Sequence, residues 1–425
     1  MFHLLHARFF AAPRPARRRL RLAVFALACL ALLAACSRDP QPRSMLPQDV
    51  YIWQRQWTPA LRAALAASNA QVARWHVLAA ELGASGRWID VAPDEAALSA
   101  SGKPLLMTVR INGQLARFDA AAVEQHILQL MDDWRRRGLA PAALEIDYDC
   151  ATARLPEYTA FLARLKPRLG GAALAITALP TWLASPRLDA LLAAADEATL
   201  QVHAVMDPRQ GLFDPQRAQA WMEQFAQRTH RPWHVALPAY GSRVVWDGNG
   251  GIAAVESERP VLAGGIASEL VAQPRQLAQF AAALEQRQPA GLAGIAWFRL
   301  PTGDDRRAWS LSTWLAVLAR HPLREGLEVR LASAQGGDAL REIMLDNPGN
   351  ADAPLPPRIR IASACPGEMA GDGINGYTME SDGRGRYLRL TQNGLLRAGA
   401  RRNIGWLRCP DGTASQDGIA LQIGS

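Results

Sequence analysis

The sequence predicts a (β/α)8 barrel, TIM-like in plan, followed by a small all-β region of sandwich-like character. Three observations carry this. Eight short apolar runs fall between residue 49 and about residue 320, and amphipathic helical stretches separate most of them. After Arg320 the texture changes to short period-two segments among Gly, Asn, Asp and Pro turns. Strands that alternate with helices pair in parallel, and eight such units favour a closed barrel over an open doubly wound sheet. With 425 residues, 49% of them hydrophobic and 20% charged, the chain can bury a large core and is too apolar to be disordered.

Residues 1–35 have the form of a signal peptide. Arg8, Arg14, Arg17, Arg18, Arg19 and Arg21 precede an uncharged run, Leu22 to Ala35, which suits a signal segment and is short for a membrane span. Taking those six arginines from the formal charge of +8 leaves +2, too little for an electrostatic nucleic-acid footprint, so no nucleic-acid partner is expected. The run ends in Leu33-Ala34-Ala35-Cys36, which resembles a bacterial lipobox. That resemblance implies cleavage before Cys36, a lipid on its thiol and attachment to a membrane. Ser37 after the cysteine resembles lipoproteins that are passed to the outer membrane, so a cell-envelope location is expected. Export makes a disulfide favourable, and Cys365 and Cys409, both in the C-terminal region, are its expected partners. Cys150 is then a packed, odd thiol.

Residues 36–46 form a tether, 47–322 the barrel and 323–425 the β-rich region. The expected barrel strands are Val50–Trp53, Ala73–Ala79, Leu105–Ile111, Ala143–Asp149, Ala172–Leu179, Ala198–His203, His234–Pro238 and Gly294–Arg299. Thr58-Pro59 supplies an N-cap and a first-turn proline for a helix bearing Leu61 and Leu65. Asp119 caps a helix with Val123, Ile127, Leu130 and Trp134 on one face, ended by Gly138. The second unit has only a short helix, Asp94–Ser101. The seventh connection is long and glycine-rich (Trp246 to Gly251, then Gly264-Gly265), a length that fits a mobile lid or an unstructured insertion. Beyond the barrel, Leu327–Leu331, Pro357–Ile361, Tyr377–Glu380 and Tyr387–Thr391 are short strand candidates.

Barrel enzymes carry reactive groups at the C-terminal ends of their strands. On the fourth strand Glu145, Asp147 and Asp149 share one face, and Leu144, Ile146 and Tyr148 the other. If the apolar set meets the helices, three carboxyl groups point into the barrel, with successive members only ~6–7 Å apart. Crowding and burial then oppose ionising all three, and a carboxyl group kept protonated near neutrality is what a general acid needs. Arg110, in period two with Thr108 on the third strand, neighbours the acids as a counterion. His76, His203 and His234 lie on different strands without metal-ligand spacing, so hydrogen-bonded core histidines are expected and no metal. No cofactor motif occurs.

Glu145-Ile146-Asp147-Tyr148-Asp149 resembles the fourth-strand DxDxE motif of chitinase-type glycoside hydrolases. Gln201-Val202-His203 falls where that superfamily often has Gln-x-Tyr, and Gly294-Ile295-Ala296-Trp297 with Gly303-Asp304-Asp305 resembles its eighth-strand tryptophan and acidic turn. The whole chain also resembles an uncharacterised family of bacterial lipoproteins that carry such a barrel. The resemblance implies Asp149 as general acid, Asp147 as the group that orients an acetamido substituent, Glu145 as its support and Trp297 as the floor under the sugar. Two positions depart from the pattern: Asp149 is one methylene shorter than the family's Glu, and His203 replaces its tyrosine. Trp53, Trp57, Trp182, Trp246 and Trp297 lie at or just past strand ends, where flat rings suit sugar faces, and Tyr240 is placed to join them. The expected substrate contacts are Arg110, Gln201, His203, Tyr240, Trp297 and Trp53. The reading that follows is a lipid-anchored glycoside hydrolase-like protein of the envelope acting on a glycan. The alternative is a non-catalytic glycan-binding or scaffold lipoprotein with a degenerate barrel.

Overall fold

The computed structural model describes residues 45–203, 211–247, 251–256, 267–305, 307–333, 340–363, 367–383, 385–408 and 419–423. The signal segment, Cys36, Cys365 and Cys409 lie outside these residues. Among the described residues, no helix is long and apolar enough to cross a membrane.

Eight parallel strands close on themselves. They are β1 (Gln48–Ile52), β2 (Arg74–Leu82), β4 (Leu105–Ile111), β5 (Ala143–Tyr148), β6 (Ala173–Ala178), β7 (Glu197–Gln201), β8 (Trp233–Pro238) and β12 (Leu292–Phe298). Closure is made by β1, which pairs with β2 on one side (Tyr51 opposite His76) and β12 on the other (Val50 opposite Trp297). The short β3 (Trp88–Asp90) folds back antiparallel on β2. All eight expected strands are present, and the apolar run of each is explained by burial on both faces.

Helices cover the outside: α1 (Pro59–Ser68), α2 (Glu95–Ser101), α3 (Ala120–Arg136), α4 (Leu155–Leu165), α5 (Leu188–Ala194), α6 (Pro215–Ala226), α7 (Pro274–Gln286) and α8 (Leu311–Leu318). Their starts follow local chemistry. Thr58, Asp94, Asp119 and Ser310 each accept a hydrogen bond from the backbone N–H three residues on. Gly138 sits at φ 81°, where an L side chain would be strained, and ends α3. Leu144, Ile146 and Tyr148 pack outward, Tyr148 against Phe118 and Tyr158, as the alternation of β5 requires.

Of the seventh connection, Gly248 to Gly250 and Gly264-Gly265 lie outside the described residues, and the described parts are strands rather than an unstructured insertion. They form a small antiparallel sheet of β9 (Gly241–Trp246), β10 (Ile252–Glu256) and β11 (Ala267–Val271), with β9 central. Val244 and Val245 of β9 are buried, which supplies the apolar anchor that the surrounding glycines obscured.

Among the described residues the C-terminal region holds ten strands: β13 (Glu328–Ser333), β14 (Leu340–Asp346), β15 (Ala353–Pro354), β16 (Arg358–Ser363), β17 (Met369–Gly371), β18 (Tyr377–Asp382), β19 (Gly385–Leu390), β20 (Leu395–Leu396), β21 (Arg401–Arg408) and β22 (Ile419–Ile423). Two four-stranded antiparallel sheets, β13-β14-β21-β17 and β18-β19-β16-β22, share one apolar cluster. Ile343, Leu345 and Ile404 come from the first, and Ile359, Tyr377 and Leu388 from the second.

Candidate active site

Inward-facing side chains stack in rows up the barrel. In the lowest row, Asp49 of β1 accepts from Arg74 of β2 (Nη2 to Oδ2, 2.7 Å), and Arg74 also donates to Glu197 of β7 at 2.9 Å. His234 of β8 stands beside them, its Nε2 3.1 Å from Arg74 Nη2. In the next row Glu145 of β5 is fully buried and accepts from four sides. Its partners are Tyr51 Oη (2.8 Å), His76 Nδ1 (3.1 Å), Thr108 Oγ1 (3.0 Å) and Thr199 Oγ1 (3.5 Å). Only an ionised carboxylate offers lone pairs in all these directions. Burial opposes that charge, but His76 and the hydroxyl donors outweigh it and hold the Glu145 pKa low.

His76 stands between two carboxylates, Nδ1 on Glu145 and Nε2 3.4 Å from Asp49. Both acceptors require an N–H, so the ring is an imidazolium. Burial disfavours the charge, yet Glu145 and Asp49 raise His76 to about 9, while Asp49, buried beside His76, His234 and Arg74, is held down at about 2. His76 and His234 are thus hydrogen-bonded core histidines.

The upper row forms the mouth. A register shift in β2 between Leu78 and Ala80 swaps the faces of that strand, bringing Glu81 opposite Arg110, which is in turn opposite Asp147. Asp147 accepts from Thr177 (2.7 Å) and Gln201 (3.1 Å) through Oδ1, and its Oδ2 lies 4.0 Å from Arg110 Nε. Burial and the charge of Asp149 lift Asp147 to about 7 against the pull of Arg110. Asp149, just past β5, is raised too, by burial. Its Oδ1 is shielded from solvent and has no hydrogen-bond partner. The Asp149 main chain is set by Gly113, where any Cβ would overlap the Asp149 carbonyl.

Aromatic rings wall this mouth. Trp53 and Phe298 meet edge to face at 4.9 Å, and His203 stacks on Phe298 at 5.4 Å. Tyr240 Oη lies 3.4 Å from His203 Nδ1. Arg110 lies over Trp53, 5.7 Å from the ring centre, with 39% of its side chain exposed. Burial lowers His203 to about 4, so the ring is neutral, and its Nε2 is buried without a partner. Asp147, Asp149 and the contacts Arg110, Gln201, His203, Tyr240 and Trp53 therefore converge on one end of the barrel, with Glu145 one row beneath them.

Trp297 does not join them. Its register partner Val50 and its packing against Trp309 place it in the outer, helix-facing layer, where Nε1 donates to Gln48 at 2.7 Å. Period-two alternation sends Phe298 inward instead. Trp182 is likewise buried in the outer layer, bonded to the Cys150 carbonyl. The sequence reading missed Phe298, Tyr51, Asp49 and Arg74. The alternation used for β5, applied to β1, would have grouped Asp49, Tyr51 and Trp53. Among the described residues, no cluster of three or more His, Cys, Asp or Glu side chains is arranged to hold a metal ion.

A closed parallel barrel with paired carboxyl groups at its C-terminal mouth defines the class of architecture. In comparison with known proteins, a family model described as a domain of unknown function (DUF3142) matches residues 101–303. A second, also described as a domain of unknown function (DUF8456), matches residues 330–410. No curated protein matches the chain. Solved structures similar to it include a chitinase from Chromobacterium violaceum, 15% identical, with a TM-score of 0.46 over 65% of this chain and 98% of that one. The spore cortex-lytic enzyme SleL of Bacillus cereus is 13% identical, with a TM-score of 0.48 over 66% and 75%. A chitinase from Bacteroides thetaiotaomicron is 13% identical, with a TM-score of 0.49 over 65% and 96%. The strand pairing of this chain itself defines the closed barrel.

Proposed function

We propose that the barrel mouth hydrolyses a glycan, with Asp149 as the proton donor. The observation that carries this reading is the Asp147–Asp149 pair. Two neighbouring carboxyl groups are both pushed toward the protonated form, and the outer one keeps a shielded oxygen with no partner. A carboxyl group that holds its proton near neutrality can give it to a glycosidic oxygen. Asp147, fixed by Thr177 and Gln201, shares one proton with Asp149 until Asp149 passes it to the leaving oxygen; water then adds at the anomeric carbon and returns a proton to Asp149, while Glu145 stays ionised beneath. If the sugar carries an acetamido group, its oxygen is the nucleophile and Asp147 orients it, so no protein nucleophile is needed. Trp53, Phe298 and the neutral His203 present flat rings and one open ring nitrogen to the sugar. The lipobox ending in Cys36 supports membrane attachment of the mature chain in the cell envelope, which intact-mass analysis of the N-terminal peptide tests directly.

A specific observation favours the second reading, a glycan-binding protein without turnover: the short Asp149 side chain and the nearness of Arg110 to Asp147 both work against proton delivery. Asp149→Asn separates the two. An enzyme loses about a hundred- to ten-thousand-fold in turnover and keeps its affinity. Binding across a glycan panel with no hydrolysis by the parent chain overturns the catalytic reading.

A further inference from the structure

We propose that Arg397, in the C-terminal sheets, is a positioning residue for the barrel mouth. It grips the segment after β12 and, through Asp305, Arg299 and Tyr240, sets where His203 stands.

The chain of contacts is continuous. Arg397 follows β20, and its guanidinium donates to the carbonyls of Asp305 and Ala308, the latter at 3.1 Å, and to Gly303 at 3.4 Å. One planar fork thus meets three carbonyls, a geometry an ammonium group does not reproduce. The carboxylate of Asp305 pairs with Arg299, which is almost wholly buried and lies over the Tyr240 ring at 5.7 Å. The same segment is stitched by the backbone to the residues on either side of Tyr240: Gly241 N donates to Arg307 O at 2.7 Å and Trp309 N to Ala239 O at 3.1 Å. Tyr240 Oη then reaches His203.

Asp352 makes the seam rigid next door. It accepts from Ser310 N (2.6 Å) and Thr313 Oγ1 (2.9 Å) at the start of α8, and from Ala398 N (2.8 Å), the residue after Arg397. Barrel and C-terminal sheets accordingly belong to one compact unit that begins at Leu46. A region with no chemical motif of its own in this way braces the wall of the site from behind. The assignment rests on the glycan reading only for its consequence; its test needs no sugar, so the two can fail separately.

In the intact chain, Arg397→Met keeps the stem and removes the fork, and Arg397→Lys keeps the charge. Amide hydrogen exchange at Gly241 and Trp309 is followed together with the imidazole nitrogen resonances of His203. Arg397→Met is expected to speed exchange at both amides by about tenfold or more and to shift the His203 signals, with β5 amides unchanged. Arg397→Lys is expected to fall between it and the parent. If Arg397→Met does not accumulate as folded protein, the lysine variant carries the same comparison against the parent. Unchanged amides with unmoved His203 signals overturn the proposal, as does acceleration that is equal in β5.

Discussion

His76 and Glu145 face each other inside the barrel, Nδ1 3.1 Å from Oε2, with both side chains shut off from solvent. A second carboxylate, Asp49, closes the other side of the ring. A charge so placed is stable only because it is shared, and that makes the pair a lever on the folding of the barrel and on the acids above it.

His76→Gln is therefore expected to destabilise the fold by about 3–5 kcal/mol at pH 7, because it leaves a buried carboxylate without its counter-charge. The pH dependence has a definite sign. Folded His76 holds its proton to about 9 against 6.5 for the free ring, so its stabilisation is whole below 6.5 and drains away as pH rises through 9. Denaturant unfolding at a series of pH values checks this: the parent should lose stability between those limits, and the variant should lose much less there.

Asp147 shares the sign of that pH dependence, but its removal is expected to have the opposite effect on stability. Its folded carboxyl holds a proton to about 7, whereas an ordinary aspartate releases it near 3.8. As pH climbs between these values, the unfolded chain releases the proton first and the fold weakens. Asp147→Asn should raise stability by about 2–4 kcal/mol at pH 8 and leave it unchanged at pH 3, while abolishing hydrolysis. A variant equally or less stable at pH 8 would mean that Asp147 ionises normally.

Gly113 faces the Asp149 carbonyl so closely that Gly113→Ala must move one main chain or the other. A loss of about 1–3 kcal/mol is expected, with a fall in turnover larger than the fall in affinity. Gly83→Ala, where a methyl group meets only ordinary contacts, is the control and should change stability by less than about 1 kcal/mol.

Cys150 is buried and unpaired, its thiol pushed up to about 12 chiefly by burial. If Cys365 and Cys409 pair and Cys36 is lipidated, the denatured mature chain titrates one free thiol. A count of three removes the disulfide.

The barrel was legible because its rules are local. Each strand is one apolar run, each expected cap is a Thr or Asp at the right offset, and Glu145 and Asp147 of β5 fall on one face by alternation, with Asp149 just past the strand. What stayed hidden depends on partners distant in sequence. Trp297 and Phe298 are adjacent and both aromatic, and only the register of β12 against β1 decides which faces inward. The Asp49–Arg74–His76–Glu197–His234 network spans four strands whose interior polar residues look isolated in sequence. The β9–β11 sheet was obscured because the sequence around its strands is glycine-rich and the strands gain meaning only by pairing with one another. The mouth wall around Tyr240 depends on Arg397, more than a hundred and fifty residues further along.

The hydrogen bond from Trp297 to Gln48 joins residues 249 apart. The ring of strands is consequently incomplete until β12 has been made and admitted between β8 and β1. Before that moment the growing sheet has two open edges, each a template for pairing with another chain. Closure over so long a stretch is slow relative to the forming of neighbouring units. A chain that ends short of Phe298 should therefore be found as aggregate rather than as a smaller barrel, and the full chain needs shelter from its own copies until its last barrel strand arrives.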